Sequence, residues 1–122
     1  MKTFSEEKVF ENPEINCLCD RLLYFQPENS NLVLGGSVAK ILMKKIIERP
    51  VKDIDFLLID DETYNYILDN GEEVLGFAPV VGEDRLSIAT KYVNFEFFDV
   101  RSRNIEIFMY KDIKLDKNSK WA

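Results

Sequence analysis

The sequence predicts an α+β domain of one mixed β-sheet with helices packed mainly on one face. Three observations carry this. Apolar residues recur at helical spacing in residues 13–25 and 38–48, whereas residues 32–34 and 53–59 are short apolar runs bounded by turn formers. Helical and strand patterns alternate through residue 69, and β-formers then dominate residues 85–101. A length of 122 residues, 46% of them hydrophobic, suits one domain with a single core.

The elements follow in order. Pro13 fits the first turn of a helix whose apolar face is Ile15, Leu18, Leu22 and Phe25. Pro27, Asn29, Ser30 and Asn31 end it. Leu32 to Leu34 form a short buried strand, broken by Gly35 and Gly36, and Ser37 is a good N-cap for the next helix. That helix, over 38–48, gathers Val38, Ile41, Leu42 and the stem of Lys45 on one face, and Arg49-Pro50 stops it. Residues 53–59 begin in alternation, with Asp53 and Asp55 outward and Ile54 inward, and finish in the continuous apolar run of a central strand. Asp60, Asp61 and Glu62 favour a helix start, with the helix running to about Asp69 and Gly71 as its stop. Residues 74–81 are apolar, but Gly76 and Pro79 leave their state open. Gly82-Glu83-Asp84 is a turn. Residues 85–101 are too many for one strand, which predicts a hairpin turning near 92–94. Residues 105–110 and 113–115 add edge structure.

Composition narrows the chemistry. No apolar run reaches the length of a membrane span, and the N-terminal residues lack a signal-peptide core, so a cytoplasmic protein that does not engage a membrane is expected. A net charge of −6 argues against general nucleic-acid binding. The charge is uneven: residues 101–122 hold six Lys and Arg against three acids, which reads as a solvated basic tail or a surface for a polyanion. The two cysteines, Cys17 and Cys19, match no metal or redox spacing and read as reduced core thiols. The sequence contains no histidine, which removes Ser-His-Asp and Cys-His catalysis and the usual zinc sites. Catalysis, if present, falls to carboxylates, lysines, arginines, hydroxyls or a metal on oxygen ligands.

Three motifs supply such groups. A strand that runs through Gly35 and Gly36 into a helix by way of Ser37 offers backbone N–H groups to an anion, and glycine lets phosphate approach closely. It is neither a P-loop nor a G-x-G-x-x-G turn. Asp53 and Asp55 lie on one face of a strand, about 7 Å apart, where two carboxylates can hold Mg²⁺. In F-E-F-F-D-V-R, Glu96 stands between Phe95 and Phe97. If those rings enter the core, Glu96 shares the aspartates' exposed side, whereas Asp99 has the opposite parity. Each motif alone is also an ordinary turn or a solvated strand position.

In combination, G-G-S, then D-I-D on a strand after a helix, then F-E-F on a later strand resembles the nucleotidyltransferase superfamily of DNA polymerase β. The stretch R-P-V-K-D-I-D-F-L-L from Arg49 is similar to the head domain of the CCA-adding enzymes and bacterial poly(A) polymerases. The resemblance implies a single minimal nucleotidyltransferase-like domain over residues 1–122, with its motif core at 32–101 and a basic C-terminal extension at 102–122. It implies that Gly35, Gly36 and Ser37 hold the β,γ-phosphates of an NTP. Asp53 and Asp55 would bind two Mg²⁺, with Glu96 completing the catalytic site. Arg49, Lys52 and Arg101 are candidates to neutralise the triphosphate, or are simple surface cations. The implied reaction is transfer of a nucleotidyl group from an NTP to a hydroxyl on an RNA end, a protein or a small molecule. Ala39 and Lys40 stand where CCA-adding enzymes usually have Arg-Asp, and the family's helical domains have no room in this length. A partner protein could supply the missing substrate surface; the alternative to catalysis is an inactive binding or regulatory module, such as an antitoxin-like partner.

Overall fold

The computed structural model describes residues 3–43 and 52–118. Four helices form among them: α1 (Phe4–Glu7), α2 (Pro13–Tyr24), α3 (Gly36–Leu42) and α4 (Asp61–Leu75). The strands are β1 (Leu32–Leu34), β2 (Asp53–Leu58), β3 (Val80–Val81), β4 (Arg85–Ala89), β5 (Asn94–Asp99), β6 (Ile107–Tyr110) and β7 (Ile113–Asp116). They make one mixed sheet in the order β3-β4-β5-β2-β1-β7-β6. The pairs β2–β5 and β1–β7 are parallel and the other neighbours antiparallel. The α+β expectation holds, and the helices lie on one face. Side chains from all four join a single core with Leu34, Phe56, Leu58, Leu86, Ile88, Phe95 and Phe97. The three rings Phe56, Phe95 and Phe97 stack at its centre, with centroids 5.5 to 6.4 Å apart.

Several local expectations shift. Helix α1, which periodicity does not reveal in so short a segment, is capped by Thr3 and buries Phe4. Helix α2 starts at Pro13, capped by Asn12, but its buried residues are Asn16, Cys19 and Leu22. Phe25 lies beyond the last helical turn and is exposed, contrary to its place on the predicted apolar face. Asn16 belongs inside because its side-chain amide accepts from Phe10 N–H and donates to Phe10 C=O, satisfying a loop that the helix covers. Cys19 is buried as expected, whereas Cys17 is exposed.

Helix α4 does not stop at Gly71. It continues to Leu75 and ends at Gly76, which adopts φ 87°. Gly71 is inside because the helix runs close to the sheet: a Cβ there would come within 2.7 Å of Ile88 Cδ1 and 3.1 Å of Pro79 Cγ. The open residues 74–81 thus divide into the end of α4, a turn and the short strand β3. The hairpin in residues 85–101 forms as β4 and β5, with Thr90 and Val93 bonded across the turn. Strand β6 lies at the edge, but β7 is interior, inserted between β6 and β1.

The second face of the sheet has two halves. Over Val33 and Leu57 it is covered by a small apolar cluster containing Val100, with Phe98 and Ile105 packed against it. The other half is polar and, among the described residues, free of helices.

Candidate functional site

The polar half is built by strand parity and register. Ile54 and Phe56 point into the helix-covered core, so Asp53 and Asp55 point to the opposite face. Phe95 and Phe97 do the same for Glu96 on β5. The parallel register then sets Asp55 directly beside Glu96, and Asp53 beside Asn94. On the far side of β5, Ser87 pairs with Glu96. Ser87, Glu96 and Asp55 therefore form a row across three adjacent strands. Neighbouring strands lie about 4.8 Å apart.

The glycines meet this row at Asp55. Gly35 N–H donates to Asp55 C=O at 2.8 Å, which ties the end of β1 to β2. Gly36 has φ +59°, and a Cβ on it would sit 2.4 Å from Asp55 Oδ2. Glycine is required at 36 twice over, by conformation and by the neighbouring carboxylate. The N-cap of α3 is Gly35 rather than Ser37. The left-handed turn at Gly36 starts the helix two residues early and places Ser37, half-buried, within its first turn.

Asp55 is only 7% exposed. Burial raises its pKa to about 6, helped by the negative charges of Asp53 and Glu96 and opposed by Arg85. The electrostatics thus agree with the register that these groups share one site. Glu96 is held by two groups that sequence reasoning missed. Ser87 Oγ donates to Glu96 Oε2 at 2.5 Å, and Arg85 Nη1 lies 3.8 Å from the same oxygen. The Arg85 guanidinium rests over the Phe98 ring, 4.4 Å from its centroid, and bonds Asp84 at 3.0 Å. The alternation R-L-S-I, with Leu86 and Ile88 buried, is the signal that could have placed Arg85 and Ser87 on the acidic side.

The predicted basic residues part company. Lys52 is exposed and immediately precedes Asp53. Arg49 lies outside the described residues. Arg101 is not brought to the acids: it bonds Asp99 at 2.7 Å and Asp61 at 2.8 Å, and its guanidinium lies 4.1 Å from the Tyr64 ring centroid. It fastens the end of β5 to the start of α4. Asp99, set aside on parity, is its partner.

The donor set of Asp53, Asp55 and Glu96 is all oxygen and negatively charged, which suits a hard divalent cation. The space kept clear by the missing Cβ of Gly36 adjoins Asp55 Oδ2. On those two grounds the residues fit Mg²⁺ at the aspartates, with Glu96 alongside. As the side chains stand, however, no group of three or more His, Cys, Asp or Glu among the described residues is placed to hold a metal ion.

Fold and site define an α+β domain with a carboxylate row on the sheet face opposite its described helices, flanked by a glycine turn. No protein-family model matches the sequence, and no curated protein matches it significantly. Among solved structures it is similar to a Thermotoga maritima protein provisionally named a nucleotidyltransferase. The two share 18% identity over 84% of this chain and 63% of that one, with a TM-score of 0.47. This chain thus spans less than two thirds of that protein's length, and likeness at that level does not extend to activity. Among the described residues no helix is long and apolar enough to cross a membrane.

Proposed function

We propose that the carboxylate row is a Mg²⁺-dependent nucleotidyl-transfer site, which moves a nucleotidyl group from an NTP to a hydroxyl acceptor. The observation that carries the reading is the side-by-side register of Asp55 and Glu96, with Asp53 on the same face and Gly36 packed against Asp55. Asp53 and Asp55 would hold the ions, and Glu96 would help orient the acceptor hydroxyl. Two bound Mg²⁺ would lower the pKa of that hydroxyl and offset charge on the α-phosphorus as pyrophosphate leaves. Gly35 N–H is committed to Asp55, so the phosphates fall to the amides of Gly36 and Ser37, which open α3 and lack intrahelical partners. Lys52, next to Asp53, is the described candidate for the triphosphate charge.

A non-catalytic nucleotide-binding or regulatory module is the second reading. It is favoured by the bond that draws Glu96 toward Ser87. Thermal unfolding with Mg²⁺ and each NTP separates the two, using the wild type, Asp53→Asn and Asp55→Asn. Catalysis predicts a Mg²⁺-dependent rise in Tm that both variants lose, since a ligand that binds only the folded state stabilises it by mass action. It also predicts pyrophosphate release once an acceptor is supplied. A nucleotide-induced rise without turnover on RNA, protein or small-molecule hydroxyls would select the regulatory module, and no rise with any NTP would sink both.

A further inference from the structure

We propose that Ser87 is a positioning residue that holds Glu96 away from the aspartates, so that a divalent cation must break this contact to gain its third carboxylate. The inference rests on the reading of Asp53 and Asp55 as cation ligands.

Glu96 sits between two strands with opposite pulls. On the β2 side its register partner is Asp55, a like charge. On the β4 side are the Ser87 hydroxyl at 2.5 Å and Arg85 Nη1 at 3.8 Å, both directed at Oε2. Arg85 is itself held, over Phe98 and against Asp84, so its charge is in place before any ligand arrives. Repulsion from one strand and attraction from the other act in the same direction, and the carboxylate bonds Ser87. Register thus sets Glu96 beside Asp55, while its carboxylate bonds the opposite strand.

A divalent cation at Asp53 and Asp55 reverses the field on the β2 side. Glu96 then exchanges a hydrogen bond for a cation–oxygen contact, and the strength of the Ser87 bond subtracts from the apparent affinity. Hydrogen bonds to charged groups are among the stronger ones in proteins. Removing the hydroxyl should therefore tighten cation binding.

Mn²⁺ serves as the probe, with calorimetric titration as the readout, so no turnover is needed. Ser87→Ala is expected to lower the Kd by roughly five- to tenfold. Ser87→Thr keeps the hydroxyl, suits a strand and should bind as the wild type does. In the Ser87→Ala/Glu96→Gln double variant the gain should vanish, because it acts through Glu96. Equal or weaker binding by Ser87→Ala, or a gain that survives in the double variant, would overturn the positioning role alone. Wild-type and Asp55→Asn proteins that both fail to bind Mn²⁺ would instead overturn the cation reading beneath it. Thermal unfolding of each variant separates a lost site from a lost fold.

Discussion

The two glycines of the turn make unequal demands. Gly36 combines φ +59° with a would-be Cβ 2.4 Å from Asp55 Oδ2. At Gly35 a Cβ would meet Leu57 Cγ at 3.6 Å, an ordinary contact, and the backbone is extended. Gly36→Ala should therefore destabilise the fold by about 2 kcal/mol or more, from left-handed strain and the clash together. Gly35→Ala should change stability by less than about 1 kcal/mol. Denaturant unfolding of the pair checks this, and equal losses would show that the turn is not built as described. Asp55 supplies a second prediction at this scale. Its carboxyl keeps a proton up to about pH 6 in the folded protein, against an ordinary value of 3.8. Between those values the folded state binds more protons than the unfolded one, so this group's contribution makes stability fall as pH rises. Above about pH 6 the full penalty is present, on the order of 1–3 kcal/mol. Metal-free Asp55→Asn should lack this downward slope from pH 4 to 6 and unfold at higher denaturant concentration at pH 7. A variant no more stable than wild type at pH 7 would mean that Asp55 is not strained by its surroundings.

Among the elements, α4 shows where local signals mislead. Glycine is a common helix stop, yet Gly71 lies mid-helix because Ile88 Cδ1 and Pro79 Cγ fill the space its side chain would take. No window of sequence around Gly71 contains that information, since the contacting residues come from β4 and the turn before β3. Alanine in an exposed helix interior gains up to about 1 kcal/mol over glycine. Here Gly71→Ala should instead destabilise by about 1–2 kcal/mol, because overpacking outweighs propensity. Ile88→Val removes the clashing methyl, so the double variant should be more stable than the sum of the two single changes predicts. Strict additivity in chemical unfolding would rule out the close approach. The strands were more legible. The parity of Asp53 and Asp55, and of Phe95, Glu96 and Phe97, is a local property with period two, and it places three acids on one face without reference to strand pairing. Parity could not show which cation faces them. Arg101 and Arg85 both flank the strand pair, but tertiary contacts with Asp61 and Tyr64 hold the first, and contact with Phe98 turns the second toward Glu96.

At the scale of the molecule, the sheet order decides which parts of the chain the site depends on. The candidate residues lie between positions 35 and 96, and the basic residues 101–122 read in sequence as an extension. Strand β7 nonetheless pairs in parallel with β1, with Val33 against Lys114 and Leu34 against Leu115. Leu115 is fully buried and Ile113 nearly so, both in the main core. Parallel pairing brings together residues some eighty positions apart, which a local pattern cannot announce. Because β1 leads straight into the Gly35–Gly36 turn, loss of β7 would bare the edge of the strand that positions it. A chain ending at residue 104 should therefore lose cooperative folding, and with it any cation binding, although every candidate site residue remains. Near-ultraviolet circular dichroism and protease resistance test this. A truncated protein with native-like spectra would mean that β1 and β2 suffice to hold the turn. A milder probe keeps the chain intact: Leu115→Ala should lower stability by about 2–5 kcal/mol through the cavity it leaves. Lys117→Ala changes an exposed residue, whose ion pair with Glu106 spans 3.7 Å between well-exposed side chains, and should have an effect below about 1 kcal/mol. That contrast, read by denaturant midpoints, locates the dependence in the burial of β7 rather than in the basic charge around it.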